Sequence, residues 1–553
     1  MLKFSNLNKG NFQKKAYLAS LTFLLCFTVF INNANGQWIS GDTLTSDFKY
    51  FRKILAETHP DPYSGFGGKV FFHKEAFNVE QKLKNGASLD EFTSLVLSFI
   101  SNMEDGHTFI NKPQSNTVSV SSLNLPLGFM VTQDGLIVSK ISGDLKKFIG
   151  SKIQSINGVS LQELCKKVGK LRPTENIFHK YSLLSNGICN YRTMRTIFPD
   201  WPEKISIVLE ILDGNRETIE LTYLDNESLA NIEMVSIPKY AAIQDDFLFH
   251  DYLDKNKQAM YFRISTIMAR EPFIYMKENG WSDLNRTLEV VYKNNLNQEM
   301  PEDVDEAIAN IPIFAQVFRE VLERMKTDRA KYLILDLRAN GGGFTPMTLP
   351  SLYMLFGDAY LEKDMDVQFY RLISPLYLKK INVDLEDLNK KNNTNYEYGD
   401  YPMSFNSEEK FIDIAERRNQ FVANAMGGAA EYIKDLNGKP VYSPEKIFVI
   451  TNPGTFSAAF HYAFYLWKMG ATVIGVPSGQ APNTFMENTP FELPLTKLTG
   501  SISNSLQVFL PANDPKAKIF YPDIMLNWND YKKYDFNKDS DLLYLIDYLK
   551  LKK

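Results

Sequence analysis

Cysteine, histidine and surplus positive charge are all scarce in this chain. Of its 553 residues, three are cysteine and six are histidine. No Cys-x-x-Cys and no histidine cluster is present, so neither a zinc site nor a thiol–disulfide centre is indicated, and no metal or cofactor is expected. Lysine and arginine number 61 against 65 aspartates and glutamates, a net charge of -4, and no long basic run occurs. That balance argues against a nucleic-acid partner. The glycine-rich turn at 341–343 has no Lys-Ser/Thr after it and does not read GxGxxG, which disfavours nucleotide binding. Internal repeats are absent.

What is present begins at the N-terminus. Lys9, Lys14 and Lys15 precede an apolar run from Ala16 to Ile31, followed by small residues at Ala34 and Gly36. This order reads as a secretory signal over 1–36 and predicts an exported protein, periplasmic or extracellular, without a stable membrane span after cleavage. Cys26 follows Leu24 and Leu25 rather than a small residue, which disfavours lipid attachment. Cys165 and Cys189 then remain; they pair or stay free and buried, and sequence does not choose.

The length predicts two to four domains. Apolar residues at helical spacing, Phe48, Phe51, Ile54 and Leu55, then Phe92, Val96 and Ile100, make 37–112 a helical lead-in. From 113 to 226 the pattern turns to short strands, with turns at Asn157-Gly158 and at Asp213-Gly214 between two alternating runs. A helical insertion over 161–199 carries both cysteines. Residues 227–553 alternate strand and helix, the mark of βαβ units in an α/β core. A helix is expected from Asp303 to Met325, and the polar stretch 380–440 reads as a surface loop.

Two stretches carry the chemistry. The apolar run Tyr332 to Leu335 leads through Asp336, Leu337 and Arg338 into Gly341, Gly342 and Gly343. It reads as a strand buried on both faces, followed by bare backbone amides. A second such strand, Lys446 to Thr451, runs through Asn452, Pro453 and Gly454 into Ser457, Ala458 and Ala459. A serine at a strand-to-helix turn can hold its hydroxyl clear of the sheet. Ser457 is therefore the candidate nucleophile, with the glycine turn as part of an oxyanion hole.

Taken together these residues resemble the tail-specific, or C-terminal processing, serine protease family, including its tricorn-like members. Leu335-Asp336-Leu337-Arg338-Ala339-Asn340-Gly341-Gly342 is similar to its Asp-Leu-Arg-x-Asn-x-Gly-Gly signature, and Thr455-Phe456-Ser457-Ala458-Ala459 to its nucleophile motif. Val473-Ile474-Gly475 and Pro522-Asp523 resemble later motifs, while His59-Pro60 and Asp105-Gly106-His107-Thr108 resemble upstream motifs of the tricorn-like branch. Leu127, Gly128 and Phe129, with the Ile156-Asn157-Gly158 turn, resemble a PDZ domain's carboxylate-binding loop and core, and so imply peptide binding. The resemblance implies a catalytic core with a mixed sheet and flanking helices of the ClpP/crotonase kind, preceded by the helical lead-in and a small β-rich PDZ-like domain.

One departure decides the mechanism. Where the larger branch of the family has its catalytic lysine, this chain reads Ser478-Gly479-Gln480. The tricorn-like branch then implies a Ser–His mechanism with His107 as base. His461, four residues after Ser457, is the rival, for which a packing role is favoured. Asp523, Asp514 and Glu104 are candidate orienters of the histidine, and the amides of Ala458 and of Gly341 or Gly342 candidate oxyanion donors. Asp336 and Arg338 are expected to brace the turn. The expected function is a secreted serine peptidase acting on peptides, unfolded proteins or C-terminal tails, with an oligomer compatible; the alternative is an inactive relative that binds peptide or another ligand. An esterase is disfavoured, because no G-x-S-x-G surrounds Ser457.

Overall fold

The computed structural model describes residues 38–111, 123–281, 283–402 and 413–552. The apolar N-terminal segment and Cys26 lie outside the described residues.

Three helices open the chain: α1 (Gly41–Thr58), α2 (Lys69–Leu83) and α3 (Leu89–Ile100). Each start has a local cause where a cap exists. Ser40 accepts from Thr43 N at α1, and Ser88 and Glu91 form a reciprocal capping box at α3. Their inward residues, among them Phe48, Phe51, Phe92 and Ile100, pack in one cluster with Phe491, Leu493, Leu498 and Ile502 from near the other end of the sequence. Asp47, buried within α1, accepts from the amides of Leu495 and Thr496. The lead-in is thus fastened to the catalytic unit.

A small β-rich unit follows: β1 (Leu127–Thr132), β2 (Gly135–Ser142), β3 (Lys152–Ile156), α4 (Leu161–Val168), α5 (Ile177–Cys189), β4 (Lys204–Glu210) and β5 (Arg216–Thr222). β4 and β5 form the expected hairpin, with Ile207 opposite Ile219. The unit has its own core, including Val138, Ile153, Leu184 and Ile207. Its sheet also takes in Met234–Ser236. Leu127, Gly128 and Phe129 form the start of β1, paired to β2 with a register shift at Gly128/Phe129. α5 packs along β1, and Cys189 Sγ donates to the Leu127 carbonyl. Cys165 and Cys189 are free thiols, and burial pushes both up to about 12.

The third unit centres on a five-stranded sheet. His250–Tyr252 pairs antiparallel with β6 (Ala259–Arg263). Parallel pairing then continues through β7 (Tyr332–Asp336), β8 (Lys446–Thr451) and β9 (Thr472–Gly475). Both faces are covered, as the continuous apolar runs require. Met260, Phe262, Leu333, Leu335, Val449 and Val473 face one cluster with the helices α6 (Phe314–Asp328) and α7 (Ala458–Lys468). Tyr261, Ile334, Phe448, Ile450 and Ile474 face the other, with Leu542 and Leu545 of the C-terminal helix Ser540–Tyr548. Burial contributes about 1.5–3 kcal/mol per large side chain in these two layers. A second sheet is built on β10 (Thr484–Glu492) and β11 (Thr499–Val508), joined by Gln368–Arg371 and by the short strand Phe109–Ile110.

Two expectations need correction. The helix read from Asp303 to Met325 is broken into Val304–Asn310 and α6. Pro312 disfavours helical geometry at Ile311, and the buried Glu271 carboxylate accepts from Phe314 N and Ala315 N, fixing a new start there. The stretch 380–440 is not a bare loop: it holds the helices Leu385–Asn392 and Ile414–Ala423, each started by an aspartate cap, Asp384 or Asp413. Residues 403–412 within it lie outside the described residues. No helix among the described residues is long and apolar enough to cross a membrane.

Candidate active site

The turns after β7 and β8 are zipped to one another. Asn452 Oδ1 accepts from Ala339 N at 2.9 Å, Thr455 Oγ1 donates to Leu337 O at 2.8 Å, and Phe456 N donates to Asn340 O at 3.0 Å. Arg338 and Asp336 brace this region from behind: the guanidinium binds Asp336 at 2.5 Å and Asp539 at 2.8 Å, while Tyr261 OH donates to Asp336 Oδ2. Burial alone would raise the Asp336 carboxyl, but Arg338 outweighs it and holds it below the usual carboxylate range.

Ser457 stands where this double turn meets α7. Its backbone has φ 52° and ψ -126°, a region that L-residues rarely adopt. The surrounding bonds impose it, and Gln480 Oε1 accepts from Ser457 N. Ser457 is half-buried, and its hydroxyl has no hydrogen-bond partner among the described residues. Gln480, within the stretch read as that of the family lysine, supplies a neutral amide that grips the serine backbone.

The glycine turn packs directly against the serine. A Cβ on Gly342 would lie 2.7 Å from Phe456 O and from Ser457 Cβ, and 2.8 Å from Ala458 N, at a φ of +102°. Gly342→Ala is therefore expected to displace Ser457, and a shift of about 1 Å can cost ~10²-fold in rate. Peptide turnover at wild-type speed in that variant would contradict this packing. Of the two glycines offered as oxyanion donors, Gly342 has its amide already engaged with Asn340 Oδ1 at 3.0 Å. The amides of Gly341 and Ala458 donate to no group among the described residues.

The Asp105-Gly106-His107-Thr108 turn is carried to this place by β11. Phe109–Ile110 pairs with Gly500 and Ser501, and Thr108 Oγ1 accepts from Ser503 N. Within the turn, Asp105 Oδ1 accepts from His107 N at 2.8 Å and its Oδ2 binds His59 Nε2 at 3.2 Å. Burial works to raise the Asp105 carboxyl; His59 overcomes it and brings it down to about 2. The His107 ring rests on the ring of Phe456, the neighbour of Ser457, with centroids 5.0 Å apart. A side chain on Gly106 would strike that same Phe456 ring at 2.7 Å and Glu175 Oε1 at 2.8 Å. Neither His107 nitrogen has a hydrogen bond of normal length; Nδ1 lies 3.7 Å from Glu175 Oε1. Burial lowers the imidazole pKa below its ordinary value, with Asp105 and the Phe485 backbone pulling the other way.

The rival histidine is fully occupied. His461 Nδ1 is 2.8 Å from Thr345 Oγ1 and Nε2 is 2.7 Å from Gln507 Oε1. Burial pushes its pKa down to about 4. It is a packed, neutral member of the α7 face.

The carboxylates offered as orienters have other partners. Asp523 accepts from Val473 N at 2.9 Å and pins the start of β9, and Asp514 accepts from Lys516 N within its own loop. Glu104 faces Lys180 at 3.8 Å on the rim of a cleft whose lining also includes Asp61, Cys165, Glu175 and Thr484. Besides Asp105, a carboxylate from the segment between α4 and α5 faces His107: Glu175. Nothing in the spacing of residues 107, 175 and 457 joins them; only the docking of the small unit does. His179 came with it, its ring 5.4 Å from that of Phe456.

An α/β core that holds a half-buried serine at a strand-to-helix turn, beside free backbone amides and a buried histidine, is the framework of a serine hydrolase. Residues 307–494 match the model of peptidase family S41. That part of the chain holds both turns and Ser457. The fold is similar to that of mature CPAF, with 13% sequence identity, 91% of this chain and 97% of that chain covered, and a TM-score of 0.55. The structure of mature CPAF complexed with lactacystin is similar at 14% identity, covering 91% and 98%, with a TM-score of 0.53. No curated protein matches the sequence.

Proposed function

We propose that this protein is an exported peptidase that cuts peptides, unfolded chains or C-terminal tails by a Ser–His mechanism. The observation that carries the reading is the His107 ring: buried, neutral, free of strong hydrogen bonds and laid against the residue that precedes Ser457. His107 takes the Ser457 proton as the hydroxyl oxygen attacks the scissile carbonyl, and returns it to the leaving amine. The oxygen anion forms against the amides of Ala458 and Gly341, which have no other acceptor. Water then repeats the sequence on the acyl-enzyme. Gln480, in the lysine's place, makes a lysine base unnecessary to the reading. The basic and apolar order of residues 9–31 supports export.

The small unit is proposed as the PDZ-like site that receives peptide along β1. α5 and Cys189 already cover part of that strand, so entry there requires α5 to yield.

A fluorophosphonate probe followed by peptide mapping tests the chemistry. A single adduct on Ser457, blocked by lactacystin and absent in Ser457→Ala, is the expected result. No adduct, no cleavage of any peptide in a mixed library and retained peptide binding would replace the peptidase with a non-catalytic binder.

A further inference from the structure

Glu175 belongs to the small unit but is embedded in the catalytic one. Its Oε2 accepts from Ala481 N at 2.8 Å, the residue after Gln480. The next residue, Asn176, donates from Nδ2 to Ser478 O at 2.9 Å and caps α5 with its Oδ1. The same loop, 478–481, therefore grips both Ser457 N and the segment that carries Glu175. Glu175 Oε1 has no hydrogen-bond partner among the described residues, is buried, and faces His107 Nδ1.

We propose that Glu175 is the positioning residue for His107: its Oε1 accepts the Nδ1 proton, which leaves Nε2 bare to take the proton of Ser457. This rests on the Ser–His reading above. Asp105, the other carboxylate nearby, spends its oxygens on His59 and on the His107 backbone amide, which fixes the turn rather than the ring. Glu175 has no salt-bridge cation among the described residues except His107 itself. A buried carboxyl without a cation is costly as an anion, and burial raises its pKa well above the ordinary value. The cost falls when His107 becomes an imidazolium, a state reached only while the serine is reacting. Such a pair favours the transition state over the resting enzyme. The gap of 3.7 Å exceeds a hydrogen bond by less than an ångström, and catalytic contacts commonly tighten when substrate binds.

The test uses the full chain with Glu175→Gln, which keeps the oxygen that Ala481 N requires. The expected result is a fall in kcat of about 10²–10⁴-fold with KM changed by less than roughly threefold, because the amide can hold the ring in the wrong tautomer. The acid limb of the pH–rate profile also moves to lower pH: two protons must leave the wild-type pair before Nε2 is bare, but one in the variant. Unchanged kcat and an unmoved limb overturn the proposal. Should Glu175→Gln fail to fold, histidine ring nitrogen NMR on the Ser457→Ala protein at about pH 8 decides alone. With six histidines in the chain, His107 is assigned by difference against His107→Ala. An Nδ1–H tautomer supports the assignment and an Nε2–H tautomer overturns it. If instead Ser457→Ala still hydrolyses peptide, the Ser–His reading fails, while the tautomer result still reports on Glu175.

Discussion

Replacing Ser457 with alanine is expected to abolish peptide hydrolysis and leave the fold intact. The loss in kcat should be about 10⁴–10⁶-fold, the range seen when one member of a catalytic unit is removed. The hydroxyl has no structural partner among the described residues, so its removal leaves no orphaned group. The unusual backbone at residue 457 is held by Gln480, by Gly342 and by the zipped turns, none of which hydrogen-bonds the hydroxyl. Thermal unfolding should therefore match wild type while turnover vanishes. A residual rate within tenfold of wild type on any cleaved peptide would remove Ser457 from the chemistry.

His107→Ala should lose as much, and the double variant with Ser457→Ala should be little worse than either, because groups acting as one unit are not additive. His461→Ala should keep most of its kcat and lose stability instead, since it leaves Thr345 and Gln507 without their partner. The pH dependence follows from the neutral ring. His107 must be unprotonated to accept a proton, so activity rises with pH. The groups facing it are Asp105, Glu175 and the neutral His179 and His461. Burial lowers the His107 value, which places the limb of Glu175→Gln below the ordinary histidine value of about 6.5. In wild type the raised carboxyl of Glu175 shares that proton, so the limb lies at higher pH and belongs to the pair. A wild-type limb that falls below the variant's would reverse this ordering.

The sequence made the sheet legible because its strands have no solvent face. Tyr332 to Leu335 and Ile447 to Ile450 are unbroken apolar runs followed by turn residues, and their strands are the centre of the five-stranded sheet. The glycine turn was legible for the same local reason. Less could be read where long-range packing decides. The break at Ile311 has a local sign in Pro312, but the restart at Phe314 depends on Glu271 reaching the first amides of α6 from another helix. Glu175 lies 68 residues from His107 and 282 from Ser457 and carries no motif. Asp523, Asp514 and Glu104, which the sequence offers as orienters, pair with the Val473 amide, the Lys516 amide and Lys180.

The anchoring of the His107 turn on β11 has a consequence for the order in which the chain can become active. Phe109 and Ile110 have no sheet to join until Gly500 and Ser501 exist, and Asp47 has no partners until Leu495 and Thr496 do. Closing contacts across nearly 400 residues is slow, and the entropy of so large a loop is lost before the contacts form. A chain still leaving the ribosome carries Ser457 before it can seat His107. On the proposed Ser–His reading the chain stays silent until almost its whole length has arrived, and a growing copy cannot digest itself.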